Sequence, residues 1–132
     1  MNEIKSRIII CGGRSFNDRD RLEKTMDHVL SELSLGFDEI EIVSGHCSGA
    51  DQLGEAYAKS HDIKCSVFPA QWEKYGKIAG PIRNSEMVRY AAESEVSAVV
   101  AFLSPRTKGT KDTVSKAEKQ GFRVFAVTYE DN

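Results

Sequence analysis

With 132 residues, 40% of them hydrophobic and 29% charged, the chain suits one domain, residues 1–132, with a sizeable core. A formal net charge of −2 offers no overall attraction for nucleic acid or an anionic membrane, so direct nucleic-acid binding is not expected. No apolar run approaches the roughly 18 residues needed to span a bilayer, and the polar opening segment does not read as a secretory signal, so the expected location is cytoplasmic.

Residues 7–11, Arg-Ile-Ile-Ile-Cys, form an apolar run stopped by Gly12 and Gly13, the pattern of a strand buried on both faces of a parallel sheet. Asn17 or Asp18 can cap the helix that follows, in which Leu22, Met26, Val29, Leu30 and Leu33 recur at helical spacing and Gly36 marks the end. A second strand over 39–43 runs into the loop 44–49, and a helix over 50–60 carries Ala50, Gly54 and Ala58 four apart, a small-residue face able to lie close to the sheet. A third strand covers 64–68.

Residues 69–81 lack clear periodicity and read as a long loop, a length more often functional than idle in so small a domain. The next helix, 82–92, turns Met87, Val88, Ala91 and Ala92 toward the core. Residues 96–103 are the most apolar strand. The loop 104–109 leads to a helix with Val114 and Ala117 inward and Gly121 as its stop, and 122–127 is the last strand. Five alternations of strand and helix predict a Rossmann-like α/β fold, a doubly wound sheet of about five parallel strands in a three-layer α/β/α arrangement.

In such a fold the loops at the carboxyl ends of the strands share one edge, where ligands bind. Three loops stand there: Gly12-Gly13-Arg14-Ser15, residues 44–49 with Ser44, Gly45, Ser48 and Gly49, and residues 104–110 with Ser104, Lys108, Gly109 and Thr110. Glycines let backbone N–H groups point at an anion, and each helix start adds partial positive charge, so a phosphate is the simplest ligand. Such glycines also occur in βα turns for steric reasons alone; three loops together favour binding. On the long loop, Trp72 can stack on a base or plug the core, and Arg83 with Asn84 stands ready for phosphate or carboxylate.

Neither G-x-G-x-x-G nor G-x-x-x-x-G-K-[ST] occurs, which argues against a standard NAD-dependent dehydrogenase and a P-loop NTPase. Residues 45–49, Gly-His-Cys-Ser-Gly, fit a G-x-C-x-G nucleophile elbow. A cysteine hydrolase at Cys47 would need a downstream base, and His61 stands about 15 Å away along the helix that the elbow begins. Cys11, Cys47 and Cys65, odd in number and widely spaced, read as free thiols, and no metal or cofactor is implied.

Gly12-Gly13-Arg14, Gly49-Ala50-Asp51, Pro69-Ala70-x-Trp72, Gly80-Pro81-x-Arg83-Asn84-x-x-Met87 and Gly109-Thr110-x-Asp112 follow one another in order. Together they resemble the YspA-type, YpsA-related branch of the SLOG superfamily, the Rossmann-like group that includes the LOG and DprA proteins. The resemblance implies a nucleotide or nucleotide-derived ligand, ADP-ribose, NAD-related or a mononucleotide, held by a sensor or binding module, and a homodimer is a reasonable expectation. LOG relatives are phosphoribohydrolases that use an arginine ahead of a helix and the glutamate of P-G-G-x-G-T-x-x-E. Arg83 matches the arginine, whereas the glutamate position falls on Thr113, and Asp112 stands one residue early. A carboxylate must be placed to stabilise the cationic state of glycosidic cleavage. Binding is therefore the preferred reading; the alternative is a LOG-like hydrolase in which Arg83 anchors substrate and Asp112 or Asp51 supplies the acidic group.

Overall fold

Alternation along the first strand decides the architecture. The computed structural model describes residues 3–131, and β1 (Ser6–Gly12) sends Ile8 and Ile10 into one core and Ile9 and Cys11 into another, all of them buried. A strand apolar on both sides needs a layer on each face and two neighbours in the sheet. Those neighbours are β2 (Ile40–Ser44) and β4 (Val96–Leu103), both parallel to β1. With β3 (Lys64–Val67) and β5 (Arg123–Thr128) at the edges, the all-parallel order is β3-β2-β1-β4-β5.

The helices α1 (Arg19–Leu33) and α2 (Ala50–Ser60) cover the face of Ile8 and Ile10, burying Leu22, Met26, Val29, Tyr57 and Ala58. On the opposite face, α4 (Ala79–Ala91) and α5 (Gly109–Lys119) bring Met87, Val88, Ala91 and Ala117 against Ile9, Val99 and Ala101. The expected three-layer α/β fold is the one observed. The small-residue face of α2 is in close contact with the sheet: a Cβ on Gly54 would fall 2.9 Å from the Ile10 side chain. No helix among the described residues is long and apolar enough to cross a membrane.

Three local expectations need correction. First, α1 is capped by Asp18, which accepts from Arg21 N–H at 3.0 Å, but it ends before Gly36. Ser34 takes the left-handed conformation (φ 56°), and Leu35 N–H returns to Leu30 O while its side chain packs on the core, so a hydrophobic closing contact sets the end. Second, residues 69–81 are largely helical. They contain α3 (Trp72–Tyr75), a 3-10 turn (Gly76–Ile78) and the start of α4, three residues earlier than expected. Pro81 lies within the first turn of α4, where its missing N–H has no helical acceptor to lose. Third, Ala92 lies beyond α4 and is exposed, so it adds nothing to the core.

Candidate functional site

The chain winds outward from β1 through β2 to β3, then returns through α3 and α4 to place β4 on the other side of β1. The loops leaving β1 and β4 therefore diverge to opposite faces, and a crevice opens between them at the carboxyl edge of the sheet. It holds a cavity of about 560 Å³. Gly12, Gly13, Arg14, Asp51, Trp72, Arg83, Asn84, Ser104, Lys108, Gly109, Thr110 and Asp112 all line it.

Ser44, Gly45, Ser48 and Gly49 do not line it; Ser48 is exposed, and the other three hold the cavity up from behind. Ser44 is buried and donates to the Glu55 carboxylate at 2.7 Å. Gly45 O accepts from Arg83 Nη1 at 2.5 Å, and a Cβ on Gly45 would fall 2.7 Å from that nitrogen. Gly49 adopts φ 83°, with its Cα against the first loop, and the N–H of Ala50, which opens α2, is taken by Gly13 O at 3.2 Å. The side chain of Asp51 sits at that same helix start, accepting from Cys47 N–H at 3.3 Å. The anion that a helix N-terminus favours is thus supplied here by the protein itself. The second loop contributes Cys47 to the lining and otherwise supports it, and the first and third loops supply most of the loop residues around the cavity.

Arg83 and Asn84 tie the floor together. Besides Gly45 O, the Arg83 guanidinium reaches Asn84 Oδ1 at 2.8 Å and lies 3.8 Å from Cys47 Sγ. Asn84, 4% exposed, donates onward to Asp112 Oδ2 at 3.0 Å and Gly109 O at 3.3 Å. A continuous chain of bonds therefore joins the second loop, α4 and α5.

The two carboxyls differ. Burial alone would raise Asp112, but bonds from Lys116 (2.8 Å) and Asn84 overcome it and hold the group below the usual carboxylate range. Asp51, 5% exposed, is pushed up to about 6 by burial, against the pull of the Cys47 N–H and the Arg83 charge. Asp51 is the carboxyl poised to exchange a proton near neutrality.

The third loop, which has Arg106 and Thr107 where the LOG pattern has glycines, is closed by side-chain hydrogen bonds. Thr107 Oγ1 accepts from Ser104 N–H at 3.0 Å and lies 3.1 Å from Ser104 Oγ, closing a hydroxyl-stapled turn ahead of α5. No side chain caps α5, so its first turn opens on the cavity beside Lys108 and Arg106. Trp72 stands at the rim, 53% exposed, with Gly80 against its ring, so it does not plug the core.

The elbow geometry departs from a cysteine hydrolase. The strained left-handed residue is His46 (φ 64°) and not Cys47, whereas an elbow strains the nucleophile itself. His61 pairs with Glu23 at 2.8 Å, and His46 Nδ1 with Glu55 at 2.9 Å.

Thr107, Tyr129 and Asp131 also line the cavity and were missed in the sequence. A Ser-x-x-Thr spacing after β4 could have signalled Thr107. Nothing local marks Tyr129 or Asp131, which follow the last strand and reach the site only through the fold.

A family model described as the YspA, cpYpsA-related SLOG family, YAcAr, matches residues 6–75, more than half of the chain. The chain belongs to this family. The match runs from β1 through α3, so the first two loops and Trp72 lie inside it, while Arg83 and the third loop lie beyond it. The Gene 61 protein of Mycobacterium phage D29 is 31% identical over 124 residues, covering 90% of this chain and 94% of that protein. The DNA processing protein A (DprA) of Streptococcus pneumoniae is similar in structure, with a TM-score of 0.64 at 18% identity. That likeness covers 93% of this chain but 50% of the DprA chain, so the YAcAr protein spans half of it and shares its fold. Membership in a SLOG family points to a nucleotide-related role, in binding or processing.

Proposed function

We propose that this YAcAr protein binds a nucleotide or nucleotide derivative, such as AMP, ADP-ribose or NAD, as a binding or sensing module. The observation that carries the reading is the cavity at the strand-order reversal between β1 and β4. Its volume of about 560 Å³ is in the range that holds a small ligand. The uncapped start of α5, with Arg106 and Lys108 just before it and Arg14 elsewhere in the lining, suits phosphate, and the exposed face of Trp72 at the rim suits a base. Titration calorimetry with AMP, ADP-ribose and NAD tests it, with Trp72, the single tryptophan, as a second readout by fluorescence. Saturable binding of at least one, weakened by Lys108→Ala with Arg106→Ala, is the expected result. Folded protein that binds none of the three overturns the reading.

A processing role is the second reading, and one observation favours it: the Asp51 carboxyl, buried in the cavity with its pKa near 6, suits a general acid or base. Asp112, held ionised by Lys116 and Asn84, suits that role less. Chromatography of each nucleotide after incubation decides between the two. Free base or ribose phosphate that disappears with Asp51→Asn supports processing, and unchanged nucleotide supports binding alone.

A further inference from the structure

Residues 129–131 continue past β5, and Tyr129 and Asp131 line the site. Tyr129 N–H extends the β4–β5 ladder to Leu103 O at 2.8 Å, and its ring packs edge-on against Phe16. Its hydroxyl meets Ser15 Oγ at 2.9 Å, in space that exists only because residue 13 is a glycine: a Cβ there would fall 1.9 Å from the Tyr129 oxygen. Two residues on, the Asp131 carboxylate takes a hydrogen bond from Ser15 Oγ. Its second oxygen, Oδ2, is buried without a hydrogen bond. The Ser104 and Ser15 hydroxyls, with Arg106, hold the Asp131 carboxyl below the usual range, so it is an anion at neutral pH.

An anion already stands, therefore, where the first and third loops converge. Its neighbours are two hydroxyls and an arginine, groups that also serve phosphate. A phosphate offers three oxygens and up to two charges where the carboxylate offers one charge and two oxygens, one of them without a hydrogen bond, so a phosphate is the stronger partner for the same hydroxyls and arginine. We propose that Ser15, Ser104 and Arg106 form a phosphate subsite and that Asp131 occupies it as a built-in competitor, which a phosphate-bearing ligand displaces. This rests on the nucleotide-binding reading above and adds to it a ligand group and a regulatory contact. The ladder bond of Tyr129 keeps the strap attached, so release involves Asp131 and not the strand.

The test compares wild type with Asp131→Asn, nearly isosteric and uncharged, and Asp131→Ala. Each is titrated with AMP, with adenosine and with inorganic phosphate. Calorimetry follows the first two, and amide chemical shifts of Ser15, Ser104 and Arg106 follow the third. Both variants are expected to bind AMP about tenfold more tightly than wild type, a gain of about 1.4 kcal/mol. Adenosine affinity should be unchanged, and phosphate should move the three amides at correspondingly lower concentration. AMP and phosphate affinities that are equal to wild type, or lower, in both variants overturn the competitor while leaving the nucleotide site standing. Phosphate that moves the three amides only in the variants, with AMP and adenosine binding none of the proteins, supports the subsite and overturns the nucleotide. Melting temperatures of the variants confirm that each is folded.

Discussion

Asp51 and Asp112 are close in type and opposite in behaviour, and pH separates them. The folded Asp51 carboxyl keeps its proton up to about pH 6, whereas an unperturbed one loses it near 3.8. Between those values the folded state binds more protons than the unfolded state, so this group's contribution to stability falls as pH rises through the window. Asp112 has the opposite sign: its contribution is present above the unfolded pKa and lost as pH falls. Asp51→Asn is expected to remove the first slope, with a difference of about 1–3 kcal/mol developing between pH 4 and 6. Melting temperature against pH for both proteins measures it, and parallel curves would contradict the assignment. Arg83 bonds the backbone of the second loop as well as lining the cavity, so Arg83→Ala should cost about 1–3 kcal/mol even without ligand. A denaturant titration checks this. An Arg83 variant that fails to bind is thus informative only alongside its stability.

At the scale of elements, the first two βα loops are interlocked through their backbones, whereas the third is joined to the floor of the cavity through the Asn84 side chain. A Cβ on Gly49 would fall 2.3 Å from Gly13 O, at a φ of 83° that side chains rarely adopt. Gly49→Ala should therefore cost more than about 2 kcal/mol by denaturant unfolding and loosen the first loop with the second. Gly109 is the contrast, because nothing lies within 4 Å of a Cβ built there. Gly109→Ala, at the start of α5, should be neutral or stabilising by up to about 1 kcal/mol in the same measurement. If the ligand approaches the α5 backbone closely, that variant binds nucleotide more weakly despite being as stable. The helical character of residues 72–78 belongs to this scale as well. With Trp72 exposed and no apolar stripe to reveal them, these short turns are held by their position ahead of α4 and not by a periodic face.

For the whole molecule, the expectation is that ligand stabilises by mass action. A nucleotide at a hundred times its Kd should raise stability by about 2.7 kcal/mol. Hydrogen exchange should place the added protection on the first and third loops and the start of α5, with little on β3, at the far edge of the sheet. Protection centred on α1 and α2 instead would put the ligand elsewhere. Much of this frame was legible in the chain itself. Short apolar runs alternating with helical periods specify strands, and the most apolar of them, buried on both faces, belong at the centre of a parallel sheet. The loops that end them had to gather on one edge. Asp18 as a cap, and Ala50, Gly54 and Ala58 as a close-packing face, were readable because caps and packing faces are encoded within a few residues.

What needed the tertiary structure involves residues distant in sequence. The strand order that puts β1 beside β4, and so makes a crevice, depends on which way the chain turns after β3. That Arg83 bonds Gly45, that Asp51 fills the anion position of its own helix, and that Asp131 returns to Ser15 are pairings across loops whose partners no local pattern names. Periodicity records which side of an element is dry. It cannot record which neighbour keeps it dry, because many partners satisfy the same burial. The sequence by itself determined the layers, the edge and the family; the three-dimensional packing decided which loops line the crevice, which one braces it, and which carboxyl titrates closest to neutrality.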